Sequence, residues 1–197
     1  MLKRVFAILL ILSLLLPSYV LSEQQLKGQR PKGHFHEGSV PDSTLLEDAE
    51  YFNMLIQKLN ESQSHILVSM YIFKTTGSKS NAANKVRDAL TAAAKRGVNV
   101  KVLLEIEDER SSSLNEENRS TADSLVQGGV NVYFDSPHRR THVKAVVIDD
   151  RYTFIGSHNL TASALQYNKE LSLMIDSAEV AKKTAKYIED MIAKNKH

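Results

Sequence analysis

From residue 42 onward the apolar and polar positions follow two alternating rhythms. After Asp42 or Ser43, either of which can cap a helix, Leu45, Leu46, Ala49, Phe52, Leu55, Ile56 and Leu59 recur at spacings of three and four. That spacing predicts one helix with a buried face. His65 to Phe73, HILVSMYIF, is dense in branched and aromatic residues and reads as a buried strand. A second helix runs from Asn84 to Arg96, with Val86, Leu90, Ala93 and Ala94 inward and Gly97 as its stop. Val98 to Glu105 reads as the next strand, Glu116 to Gln127 as a helix ended by Gly128 and Gly129, and Val130 to Phe134 as another strand. Strands alternating with helices of this length predict βαβ units, and so an α/β fold on a largely parallel central sheet. At the C-terminal end, Val180, Ala181, Ala185, Ile188 and Ile192 line one face of a helix over Ala178 to Ala193 that closes the domain.

Residues 1–22 have a different pattern. Lys3 and Arg4 precede an apolar run from Val5 to Leu12 that continues through Leu16, and Val20-Leu21-Ser22 follows. This is the layout of a secretory signal peptide, which sends the protein to the periplasm or out of the cell. The alternative is an uncleaved anchor that tethers it to the membrane, since Val5 to Leu21 sits at the lower edge of a spanning length. Pro17 and the short apolar core favour cleavage, after which no stable membrane insertion is expected. Residues 23–41 are polar and aperiodic, a flexible lead-in in which His34 and His36 read as solvated linker rather than metal ligands. One folded domain over 42–197 remains.

Composition narrows the chemistry. The chain of 197 residues has no Cys, which excludes a disulfide framework, cysteine-ligated zinc, an iron–sulfur cluster and a thiol nucleophile. Its net charge of +2 is carried by Lys3 and Arg4, so the rest is neutral overall and carries no general basic signature. Any reaction must use His, Lys, acids, hydroxyls or amides. Gly77-Ser78-Lys79-Ser80 lacks the preceding Gly that a phosphate-binding loop requires.

The stretch from Thr141 to Glu170 is where such residues converge. His142, Lys144, Val146 and Ile148 alternate with Val143, Ala145 and Val147; Asp149-Asp150-Arg151 supplies a turn, and Tyr152 to Ile155 leads to Gly156-Ser157. A hairpin of this kind projects His142 and Lys144 from one face and places Ser157 and Asn159, again two apart, beyond its second strand. An imidazole, an ammonium, a hydroxyl and a carboxamide at one spot suit a phosphodiester. The Lys and Asn donate to the non-bridging oxygens, and the His serves as nucleophile or proton carrier.

His142-x-Lys144, four residues, Asp149, six residues, Gly156-Ser157-x-Asn159 resembles the HxKx4Dx6GSxN signature of the phospholipase D superfamily, without a gap. A chance match at these six positions is on the order of 10⁻⁸ per start site at average composition. The likeness extends from about Pro41 to Ile192, includes the AAAKRGVNVKVLLE passage, and is greatest to the short single-motif bacterial endonuclease branch. The resemblance implies an α-β-α sandwich around a central mixed, largely parallel sheet. It also implies a mechanism in which two motifs share one site, one His forming a phosphohistidine while the other protonates the leaving oxygen and then activates water. No second H-x-K is found, so the resemblance implies a homodimer with His142 and Lys144 from both subunits at one site. It gives Glu170 the part of the acid that orients the catalytic imidazole, and it requires no metal and no cofactor.

Around that motif, Asp149 is expected to hold the hairpin turn, Gly156 to permit close backbone approach, Thr161 to cap the segment after it, and Ser157 to bond either substrate or turn. Arg139 and Arg140, in Pro137-His138-Arg139-Arg140, would hold a polyanionic backbone beside the phosphate site, while the segment from Glu105 to Arg119 is acidic and breaks a simple basic groove. The leading expectation is an exported, metal-independent endonuclease acting on DNA, with RNA as a further substrate. The alternative is a phospholipase D acting on phospholipid head groups or cardiolipin. A binding module without catalysis is opposed by the intact His, Lys, Asn and Glu.

Overall fold

A computed structural model describes residues 41–78, 80–108, 112–136 and 139–194. Residues 1–40, which include the expected signal peptide and His34 and His36 of the expected lead-in, lie outside the described residues, as do Lys79 and the Pro137-His138 pair. Among the described residues, seven strands and five helices follow in the order β1 (Asp42–Glu47), α1 (Ala49–Glu61), β2 (His65–Met70), α2 (Ala82–Lys95), β3 (Asn99–Leu104), α3 (Ser113–Gln127), β4 (Asn131–Phe134), β5 (Lys144–Ile148), β6 (Tyr152–Gly156), α4 (Ala162–Gln166), β7 (Leu171–Asp176) and α5 (Ala178–Lys194). The strands form one sheet in the order β1-β7-β6-β5-β2-β3-β4.

The α/β expectation holds, and the sheet is mixed. Its parallel part is narrower than the periodicity predicts: β2, β3 and β4 run parallel through α2 and α3, whereas β5, β6, β7 and β1 join antiparallel. Two causes account for this. The tight turn between β5 and β6 can only return the chain antiparallel, and Asp42–Glu47 is a strand, antiparallel to β7, instead of the start of the first helix. Leu45 and Leu46 fit helical spacing as well as strand alternation, and the choice is made by the free edge of β7, which β1 pairs along its whole length. Asp48, at φ 50°, ends that strand and lets α1 begin one residue later.

Helices cover both faces. On one side Leu55, Leu59, Val86, Leu90 and Leu125 of α1, α2 and α3 pack on Val68, Val102, Val146 and Phe154 of the sheet, every one of them buried. On the other side Ala181, Ile188 and Ile192 of α5 cover Leu67, Leu103, Ala145 and Val147. α5 thus does close the sandwich, but over the centre of the sheet. At the β1-β7-β6 edge of the same face, Leu45, Leu173 and Ile155 lie opposite one another in register and remain 50%, 37% and 43% exposed. Among the described residues no helix is long and apolar enough to cross a membrane.

The turn between β5 and β6 carries Asp149 and Asp150 at φ 54° and 51°, closed by the Arg151 amide donating to the Ile148 carbonyl at 3.1 Å. Asp149 reaches across to the α1–β2 connection, where its carboxylate accepts from the amides of Gln63, Ser64 and His65 and from the Ser64 hydroxyl at 2.8–3.1 Å. Burial pushes this carboxyl up, but the three amides and the hydroxyl outweigh it and hold it below the ordinary aspartate range. Replacing Asp149 with Ala removes these four bonds and leaves a β-carbon at positive φ. The expected loss is about 2–4 kcal/mol, read as a lower urea midpoint with unchanged slope; a change below about 0.5 kcal/mol would contradict the clamp.

Candidate active site

The end of the β2–β5 seam opposite the Asp149 clamp is where the chemical side chains meet. Lys144 opens β5 opposite Met70, and His142 lies just before the strand in extended chain. The Lys144 ammonium, on a side chain mostly buried, sits over the imidazole, 3.3 Å from each ring nitrogen, and donates to the His142 carbonyl at 3.2 Å. Tyr71, one residue past β2, packs its ring 4.6 Å from the imidazole and 5.2 Å from the ammonium, centroid to centroid and centroid to Nζ. Burial, then the charges of Lys144 and Arg140, push the His142 pKa below the ordinary value, so the imidazole is neutral at pH 7 with a lone pair available. Burial also pushes Lys144 down, opposed by the nearby Glu170 carboxylate.

A second segment is fastened to the extension of β2. Leu160 and Lys74 exchange backbone bonds across Ile72 and Phe73, the Leu160 amide donating to Ile72 and the Lys74 amide to Leu160, each at 3.0 Å. This zip brings Asn159 to Ile72, whose amide donates to Oδ1 at 3.4 Å, while Nδ2 has no partner among the described residues. Asn118 of α3, fully buried, locks the same region by accepting from the Phe73 amide and donating to the carbonyls of Tyr71 and Glu105 at 2.9 Å. Thr161 caps α4 by accepting from the Ala164 amide at 3.1 Å. Gly156 is required by approach rather than by φ, since a β-carbon there would lie 2.1 Å from the Ser172 hydroxyl.

Ser157 donates to Glu170 in a short bond, and Asn168 donates to the same carboxylate at 3.1 Å. Glu170 makes no hydrogen bond to His142, so within one chain it acts on the site through Ser157 and through its charge on Lys144. The acidic stretch after β3 also has a defined place: buried Glu105 accepts from the Thr141 amide at 2.6 Å, and Glu107 pairs with Arg140 at 2.8 Å. Arg140 is therefore tied to the protein instead of projecting freely. Beside His142 opens a cavity of about 550 Å³ rimmed by Arg139, Arg140 and Lys194, with Tyr187 and Met191 of α5 on its wall. Among the described residues no three His, Cys, Asp or Glu side chains converge to hold a metal ion.

The geometry and the family comparison coincide. Residues 55–192 match the model described as "Cardiolipin synthase, PLD-like domain". The chain belongs to the phospholipase D superfamily. Cardiolipin synthase B of Salmonella typhi is 30% identical over 128 residues, which are 65% of this chain and 28% of that protein, so the chain spans little more than a quarter of that relative. Among solved structures, Nuc, a phospholipase D family member of Salmonella typhimurium, superposes with a TM-score of 0.64 at 20% identity over 77% of this chain and 94% of that one. NucT of Helicobacter pylori gives 0.58 at 18% identity, over 77% and 96% of the two chains. These likenesses establish the phospholipase D fold.

Within that fold, sequence reasoning reached the motif residues but not their supports. Tyr71 belongs to a predicted strand that the family resemblance includes, but the sequence attaches no role to it. His158, inside the motif, is buried: Nε2–H donates to the Asp48 carbonyl at 2.9 Å, Nδ1 accepts from the Ser172 hydroxyl at 2.7 Å, and the ring stacks on Tyr51 at 4.2 Å. Burial pushes its pKa down and keeps it neutral. Asp48 in turn accepts from the Glu170 amide at 3.0 Å and from Lys169 at 2.8 Å. No spacing rule links these positions, because the link runs through the β1–α1 corner.

The field around His142 yields a sign that can be measured. Titrated by NMR, with its resonance assigned by loss in His142→Ala, the imidazole is expected to have its midpoint below the free-histidine value of about 6.5. Lys144→Met, which removes an ammonium that opposes protonation, is expected to raise that midpoint. A midpoint at or above 6.5 in the unsubstituted protein would overturn this account of the site.

Proposed function

We propose that the protein is a metal-independent phosphodiesterase that hydrolyses nucleic acid, DNA first and RNA as a further substrate, through a phosphohistidine intermediate. The observation that carries the reading is a neutral imidazole under a buried ammonium, open to a cavity with a cationic rim. The His142 lone pair attacks phosphorus, forming an N–P bond as the P–O bond to the leaving strand breaks. Lys144 and the Asn159 amide stabilise the charge that grows on the non-bridging oxygens. The leaving oxygen takes a proton from a second imidazole that enters the step as imidazolium, the pair of rings sharing one proton. That ring, now neutral, then removes a proton from the water that cleaves the N–P bond. Within one chain, no other imidazole is found beside His142 among the described hydrogen-bonding groups; the second is assigned to His142 of another copy.

The homodimer this requires has a surface to form on. Leu45, Leu173 and Ile155 make an exposed apolar row, continued by Leu171 and Tyr167 at 53% and 78% exposure, immediately beyond Ser157 and Glu170. Exposed apolar rows of this sort mark contact surfaces, and a two-fold contact there would bring two motifs together. A phospholipid substrate is the second reading, favoured by the cardiolipin synthase relatives and by the same apolar row, which could meet lipid. Export by residues 1–22, ending in the periplasm or outside the cell, completes the proposal.

The purified protein is expected to cut plasmid DNA in excess EDTA and to lose this with His142→Ala; cutting that persists in the variant would remove His142 from the mechanism. Vesicles of phosphatidylglycerol and cardiolipin assayed alongside decide between the two substrates. By light scattering the protein is expected to be a dimer at micromolar concentration, and Leu45→Glu is expected to yield monomer with at least tenfold less activity. A fully active monomer would refute the shared site.

A further inference from the structure

The cavity beside His142 has a wall that the phosphodiester chemistry does not use. Tyr187, Met191 and Lys194 are spaced by four and three residues on α5 and so share one helix face. All three line the cavity that His142 and Arg139 also line. Tyr187 is 56% exposed, among the most open large side chains described. Its ring makes none of the ring contacts that hold Tyr51 and Tyr71 in place. The wall is thus an aromatic face with an apolar neighbour, in a cavity that a guanidinium and an ammonium also line. Asp135 also lines this cavity, its carboxylate accepting the Thr141 hydroxyl.

We propose that this cavity receives one unstacked base of a single-stranded nucleic acid, laid on the Tyr187 ring, with the flanking phosphates held by Arg139 and Lys194. The proposal rests on the nuclease reading above and adds strandedness to it. Three features favour a base over an acyl chain. The apolar surface is confined to Tyr187, Met191 and Val143, a short strip for a lipid tail, and the cations Arg139 and Lys194 line the same cavity. The Asp135 carboxylate can accept from the exocyclic amine of a base, a donor that an acyl chain lacks. In a duplex each base is stacked and paired, so its face reaches a protein aromatic only at a cost of unstacking; a single strand offers that face freely.

The test uses the full chain carrying His142→Ala, which binds without turnover, and oligonucleotides with aminopurine beside the expected scissile phosphate. Single-stranded oligonucleotide is expected to bind more tightly than its duplex, with quenching of the aminopurine fluorescence on stacking. Adding Tyr187→Ala is expected to weaken single-strand binding about 5- to 150-fold and abolish the quenching, and Tyr187→Phe to restore both. Equal affinity for duplex and single strand, or binding and quenching unchanged by Tyr187→Ala, overturns the subsite while leaving the nuclease reading intact. Release of head groups from vesicles by the His142 protein, with no cutting of any oligonucleotide, overturns the nuclease reading itself.

Discussion

Ile66 through Met70 of β2 pair antiparallel with Ile148 back to Lys144 of β5, and this seam joins the parallel half of the sheet to the antiparallel half. Its register is a hard constraint. A slip of one residue would turn Val146 and Ile148 from the face under α1, α2 and α3 to the face under α5, and Lys144 away from His142 and Tyr71. Asp149 fixes one end by accepting three successive amides from the α1–β2 connection, and the buried rows Val68–Val146 and Leu67–Val147 hold the middle from both faces. At the other end the strands run out, and the groups that emerge there are His142, Lys144 and Tyr71. Structural stability and chemical placement are consequences of a single register.

The site is assembled by chain segments that meet only because the sheet is mixed. β5 and β6 deliver the motif on a hairpin, while the parallel half delivers Tyr71 on the extension of β2 and Asn118 on α3. Asn118 is fully buried, and its carboxamide uses both donor and acceptor to fasten three backbone groups, so the loop bearing Tyr71 is rigid at little entropic expense to the reaction. A matching role falls to buried His158, which ties the Ser157–Asn159 turn to the β1–α1 corner and to β7. Edge strand β1 therefore supports the site from the far side of the sheet, although it carries none of the motif.

Charge is arranged with similar economy. The chain beyond Arg4 has equal numbers of acids and bases, and it creates a local positive field by satisfying carboxylates elsewhere. Glu105 and Glu107 take the Thr141 amide and the Arg140 guanidinium, which orients the loop before His142 and leaves Arg139 and Lys194 on the cavity rim. The acidic stretch thus orients the chain that leads into His142.

By itself the sequence determined the α/β class, five of the seven strands, the hairpin, and the motif that carries the chemistry; β1 and β7, which pair with each other at the edge of the sheet, were not legible in it. The legible features depend on local periods and fixed spacings along the chain. Tertiary structure decided the rest. It made Asp42–Glu47 a strand, because the open edge of β7 offered hydrogen bonds that helical spacing in the sequence cannot register. It hydrogen-bonded Glu170 to Ser157, within the field of Lys144, instead of to His142, and it brought Tyr71 and Tyr187 beside the site from segments that share no pattern with the motif. Contacts between residues far apart in the chain depend on how layers pack, and packing leaves no periodic trace in either partner.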